Sequence, residues 1–212
     1  VIATPVDISR FENFEAQANP NQKKLLENLR GQTHAGGKKT VLWVGRDDAA
    51  KDLGTLDKAI NIVIAKKGKE NVGFWMVGVK KIPDDLIDII TAAGGVDSAD
   101  LPAYYLISDL LVSSSSSESF GKVLVEANAC GRPVVATATT GAKEIITDGQ
   151  NGYLVPIGDY KALAEKILNL LDHPDLAKQM GENGRKLVKE KFSDNTQKII
   201  QFWKEIVSYP KS

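Results

Sequence analysis

The residues best suited to chemistry in this chain cluster in Ser117–Thr137, SESFGKVLVEANACGRPVVAT, where Glu118 precedes a glycine and Glu126 follows it. A helix starting near Gly121 would present the unpaired amides of Gly121, Lys122 and Val123 together with the positive end of its dipole, a setting that favours a phosphate. Glycine at that point lets an anion come close to the backbone. One turn after Lys122, Glu126 would follow the same groove roughly 6 to 8 Å along the axis, about a phosphate-to-ribose distance. A carboxylate accepts two hydrogen bonds at once, which matches a vicinal diol, whereas beside a diphosphate it would be repelled. Glu118, on the loop before the helix, is placed to reach a sugar hydroxyl. Farther upstream, Arg46 and Lys51 follow a strand-ending glycine at a spacing that allows both cations into one cleft. Two glutamates or two basic residues taken alone are ordinary features of a solvated surface.

The elements that would position these residues alternate. Val41–Gly45, Val72–Gly78, Asp88–Ala93, Asp109–Ser113, Pro133–Thr137 and Gly152–Val155 read as short buried strands. Helices are predicted over Asn21–Arg30, Asp52–Lys67, Leu101–Ile107, Gly121–Cys130 and Ala142–Thr147, and from Asp159 onward. Leu163, Ile167, Leu170 and Leu171 mark one late apolar stripe, and Ile199, Ile200, Trp203 and Ile206 another. VIATPVDISRF at the start reads as extended. The predicted fold is α/β, a Rossmann-like doubly wound parallel sheet with C-terminal helices: residues 1–40 an incoming linker and cap, 41–158 the α/β core, and 159–212 the helices. Ligands of such sheets sit outside the carboxyl ends of the strands, so the loops after Gly45, Gly78, Ser113 and Thr137 are the places to look.

Composition narrows the options. The 27 basic residues equal the 27 acidic ones, so no overall field draws the chain to nucleic acid or to an anionic membrane, and any anion site must be local. A single cysteine, Cys130, excludes an internal disulfide and suits a reducing, cytoplasmic setting. At the end of an apolar helix it reads as a small buried hydrophobe. His34 and His173 cannot be built into a metal cluster, and no Asp-x-Asp triplet is present to hold a divalent ion on a diphosphate. Trp43 and Trp75 lie within strand-like runs and read as core. A chain that begins at Val1, with neither an initiator methionine nor a signal-like segment, reads as part of something longer.

Ser117–Thr137 resembles, almost position by position, the signature of the retaining glycosyltransferases of family 4. VIATPVDISRF resembles that family's linker into the C-terminal domain. VLWVGR with Lys51 resembles its strand and basic pair, and DLPAYYLISDLLVSSSSSESFG its approach to the signature. The resemblance implies the donor-binding half of a two-domain GT-B enzyme, with a nucleoside-diphosphate sugar as donor and no metal cofactor. Any acceptor site, and any membrane contact, would fall to a missing N-terminal domain. Carried onto this sequence, Arg46 and Lys51 would neutralise the diphosphate, and Glu118 would bind the donor sugar. Phe120, Gly121, Lys122 and Val123 would offer backbone amides, and Glu126 would hold the ribose. Gly141 and Glu144 fall where the family has a glycine-rich turn and a glutamate, and are given structural roles.

Some features depart from the family. Thr4 and Pro5 replace the usual Asn and Gly, Asp47 and Asp48 stand ready to compete for Arg46, and the segment from Gly78 to Leu101, which borders the base, is short. Other readings are a non-catalytic nucleotide- or sugar-binding module, including a split-subunit partner, and an epimerase of the same fold. A dinucleotide-binding domain is disfavoured because no Gly-x-Gly-x-x-Gly opens the helix after Gly45.

Overall fold

The computed structural model describes residues 7–33, 37–79 and 81–192. Six strands, β1 (Lys39–Val44), β2 (Val72–Val77), β3 (Ile90–Gly94), β4 (Leu110–Ser113), β5 (Val134–Thr137) and β6 (Gly152–Val155), form one parallel sheet in the order β3-β2-β1-β4-β5-β6. This is the doubly wound order, with the direction of winding reversing between β1 and β4. The helices are α1 (Ser9–Glu12), α2 (Phe14–Gln17), α3 (Pro20–Thr33), α4 (Leu53–Lys67), α5 (Leu101–Leu106), α6 (Lys122–Ala129), α7 (Thr140–Ile145), α8 (Tyr160–Asp172) and α9 (Pro174–Phe192).

The strands are buried on both faces, and alternate residues go to different cores. Val41, Trp43, Phe74 and Met76 pack with Leu56, Ile60 and Val63 of α4 and Leu163 and Ile167 of α8. Leu42, Trp75, Val77 and Leu111 pack on the other side with Phe11, Leu29, Tyr105 and Leu124. Trp43 and Trp75 are therefore core residues. β3 is one of the two edge strands: Thr91 and Ala92 are exposed, and the link from β2 contains a 3-10 turn, Asp84–Leu86.

Several boundaries move for identifiable reasons. Part of the segment expected to be extended is helical, because Asp7 Oδ1 accepts from the Ser9 amide at 3.1 Å and α1 then buries Phe11, with Ile8 and Phe14 alongside. β1 starts at Lys39, where its amide donates to Asn71 O at 2.8 Å. α7 starts at Thr140 because Thr139 Oγ1 accepts from the Ala142 amide at 3.3 Å. Asp52 caps α4 in the same way, accepting from the Thr55 amide at 3.2 Å, and Asp159 caps α8, accepting from the Ala162 amide at 2.9 Å. Thr4, Pro5, His34 and the stripe from Ile199 to Ile206 lie outside the described residues.

Candidate functional site

At the carboxyl ends of β1 and β4, the point where the winding reverses, lies a cleft of about 460 Å³. Arg46, Lys51, Glu118, Lys122 and Val123 line it, together with Gly78, Gly95, Val96 and Leu101. Five residues singled out in the sequence, from two stretches some 67 positions apart, thus meet in one place. Phe120, Gly121 and Glu126 are not among the lining residues.

The loops that carry the cleft are tied together by the serine run. Ser114 Oγ donates to Lys51 O at 2.7 Å, the Ser116 amide donates to Ala50 O at 2.8 Å, and Thr137 Oγ1 donates to Ser115 O at 2.5 Å. Ser114 and Thr137 are buried, so their hydroxyls staple the ends of β1, β4 and β5. Ala49–Lys51 forms a 3-10 turn capped by Asp48, whose carboxylate accepts from the Ala50 amide at 3.0 Å. The expected competition of Asp48 for Arg46 gives way to that cap. Arg46 is exposed at the mouth of the cleft.

Lys51 points across the cleft to Glu118, with Nζ 2.8 Å from Oε2. The other carboxylate oxygen accepts from the Phe120 amide at 3.4 Å. Burial raises the Glu118 carboxyl, but the Lys51 ammonium and the amides of Gly121 and Phe120 outweigh it and hold the group below its ordinary range. Glu118 also borders a second hollow of about 340 Å³ with Ser116, Ser117, Ser119, Thr139, Thr140 and Lys143. It lies where a cationic cleft meets a hydroxyl-lined one.

α6 begins as its sequence predicts. Gly121 has φ +82°, a left-handed conformation that disfavours any side chain, and it places no cap on the first-turn amides. The Glu118–Phe120 loop is pressed against α7. The Gly141 amide donates to Glu118 O at 2.9 Å, and a Cβ on Gly141 would meet Phe120 backbone atoms at 2.6 Å. From below, the Phe120 ring meets Phe192 of α9 edge-on at 5.9 Å. Phe120 therefore anchors the loop through its ring.

Glu126 departs most from the sequence reading. Its side chain is 3% exposed instead of open to the groove, with Oε2 accepting from the Tyr105 hydroxyl at 2.8 Å and Oε1 3.7 Å from Lys122 Nζ. Burial pushes its carboxyl above the usual value against the pull of Tyr105, Lys122 and Arg10. Sequence reasoning did not find Tyr105. The available signal was a tyrosine on a buried helix, a position where a hydroxyl must find a partner. Cys130 is buried with its thiol pushed up by desolvation, and Sγ lies 3.6 Å from Phe11 O. That is a packing role. Among the described residues, no group of three or more His, Cys, Asp or Glu is placed to hold a metal ion, and no helix is long and apolar enough to cross a membrane.

A doubly wound sheet whose switch-point cleft gathers cations beside an uncapped helix start offers a setting that suits a phosphorylated ligand. Comparison with known proteins specifies the class: residues 26–187 match the family described as glycosyl transferases group 1, and the chain belongs to that family. It is 30% identical over 207 residues to the capsular polysaccharide biosynthesis glycosyltransferase CapM of Staphylococcus aureus, covering 94% of this chain and 51% of CapM. The C-terminal domain of the group 1 glycosyl transferase LpcC from Francisella tularensis superposes with a TM-score of 0.66 at 27% identity, covering 78% of this chain and 93% of that one. A variant of S. aureus TarM, crystallised with fondaparinux, alpha-GlcNAc-glycerol and UDP, superposes with a TM-score of 0.69 at 26% identity, covering 81% of this chain and 36% of that one. The chain thus spans about half the length of CapM.

Proposed function

We propose that this chain is the donor-binding domain of a retaining, GT-B-type glycosyltransferase, and that it takes a nucleoside-diphosphate sugar without a metal ion. The observation that carries this reading is the meeting of Arg46, Lys51 and Lys122 with the start of α6 in one cleft at the switch point. The UDP bound by TarM supports a uridine diphosphate as the first probe. In the proposed reaction the bond from the anomeric carbon to the diphosphate oxygen breaks, and its electron pair leaves with the diphosphate. Arg46, Lys51 and the amides of Lys122 and Val123 face that growing charge, and a well-placed donor of this kind contributes about a hundredfold in rate. The acceptor hydroxyl and the group that takes its proton belong, in this reading, to a second domain, and the setting is cytoplasmic.

Glu118 is assigned to the donor sugar, since it borders both the cationic cleft and the hydroxyl-lined hollow. The Phe120 and Gly121 amides, which Glu118 engages, become available once it turns to the sugar. Glu126, buried behind Lys122 and outside the cleft lining, is assigned to the ribose once Lys122 moves aside. Calorimetry with UDP, ADP and GDP, each with and without chelator and each against its nucleoside, tests the proposal. We expect diphosphate binding that is indifferent to chelator and far tighter than nucleoside binding. Binding abolished by chelator, or a nucleoside as tight as its diphosphate, would refute it.

A further inference from the structure

A carboxylate taken out of water needs partners that hold it in place and keep it charged. Glu126 has two of different character. The Tyr105 hydroxyl, 2.8 Å from Oε2, is fully buried, and its ring is pinned edge-on against Phe11 at 5.9 Å. Lys122, 3.7 Å from Oε1, has a side chain that is 61% exposed and borders the cleft. One oxygen is tied to the interior, and the other meets a side chain that solvent leaves free to move.

Phenylalanine would fill the same volume, so the hydroxyl is what tyrosine adds at position 105, and its acceptor is Glu126. We propose that Tyr105 is a positioning residue for the nucleotide site: by anchoring Oε2 it fixes the rotation of the Glu126 carboxylate, so that displacement of Lys122 presents Oε1 to a vicinal diol. The proposal rests on the reading of Glu126 as the ribose ligand. Each carboxylate oxygen carries two lone pairs, so the bond from Tyr105 leaves capacity for the ligand. A carboxylate fixed beforehand also loses less freedom on binding than one that must be ordered by the ligand.

The same bond bears on charge. Burial drives the Glu126 carboxyl upward, and three groups oppose it: the Tyr105 hydroxyl from α5, Lys122 from α6 and Arg10 from α1. Cys130, also on the α6 side, acts on Tyr105 and has its own thiol pushed up by burial. Removing the Tyr105 hydroxyl therefore raises the pH below which Glu126 is neutral.

The test uses the full chain and its Tyr105→Phe and Glu126→Gln variants, with whichever of UDP, ADP and GDP the parent binds. Each is titrated against its 2′-deoxy counterpart from pH 5 to 8, with thermal unfolding followed in parallel. The parent is expected to favour the ribonucleotide by about tenfold, the scale of a hydrogen bond to a charged group. In Tyr105→Phe that ratio should fall several-fold while the deoxy affinity holds, and the acid limb of the ratio, in which the titration of the ligand's own phosphate cancels, should move to higher pH. In Glu126→Gln both the ratio and the limb should disappear. Equal losses for both ligands in Tyr105→Phe would mark a merely structural tyrosine and overturn the proposal. A ribose preference and pH limb that survive Tyr105→Phe unchanged would overturn it while leaving the reading of Glu126 standing. A parent with no ribose preference would overturn both.

Discussion

Lys51 and Glu118, 67 positions apart in the chain, are joined by a 2.8 Å ion pair across the cleft, so a cation assigned to the diphosphate is held by a carboxylate assigned to the sugar. The bond explains how a partly covered cleft can keep both charges. It also means that a diphosphate must draw Lys51 away from Glu118.

Glu118→Ala should therefore tighten a free nucleoside diphosphate by about two- to fivefold, the scale of a partly exposed ion pair that no longer competes. The affinity of the full nucleotide sugar should fall instead. Titrating the variant with UDP and with a panel of UDP-sugars separates the two effects, and equal weakening of both would place the carboxylate on the diphosphate.

The two upstream cations should differ in stability while agreeing in binding. Arg46→Ala and Lys51→Ala should each weaken the diphosphate by about 1.5 to 3 kcal/mol and hardly change the nucleoside. Only Lys51→Ala should also destabilise the unliganded chain at neutral pH, because it strands Glu118 while Arg46 is exposed. The folded-state Glu118 carboxyl lies below its unfolded value, so this contribution is present above the unfolded value and is lost as pH falls through the folded one. Unfolding curves of Lys51→Ala and the parent should converge in acid.

Glu126 has the opposite sign. Its folded-state carboxyl is raised, chiefly by burial, so its favourable contribution is full below the unfolded value and is lost as pH rises through the folded one. At neutral pH the chain carries the cost of a buried charge. Glu126→Gln should raise the unfolding temperature at pH 7, by about 1 kcal/mol in stability terms, and change it less near pH 4. Its nucleotide affinity should fall, and a variant that is both less stable and unchanged in binding would contradict this account.

Gly141→Ala places a methyl against Phe120 backbone and should cost about 1 to 3 kcal/mol while moving the Glu118 loop and weakening the donor. Gly31→Ala is the control, since it sits within α3 with open space around its Cβ and should stabilise by about 0.5 to 1 kcal/mol. Differential unfolding and calorimetry on the pair check both signs.

Local physics made much of this protein readable in the sequence. Apolar runs of strand length, helical stripes such as Leu56, Ile60 and Val63, and the glycine that opens α6 depend on neighbours a few residues away, so the alternating α/β fold and the charged positions were legible. The turn into α1 was less so, because its helical form depends on burying Phe11 against elements far along the chain. Only the tertiary structure decided what the charged residues touch. Pairing Lys51 with Glu118 requires the ends of β1 and β4 to be neighbours at the switch point, and the strand order that makes them so is written in no local pattern. Burying Glu126 beneath Lys122 and against Tyr105 requires α5 and α6 to pack together. Spacing along a helix gives the direction of a side chain, and the neighbouring element determines whether that direction leads to solvent or to the core.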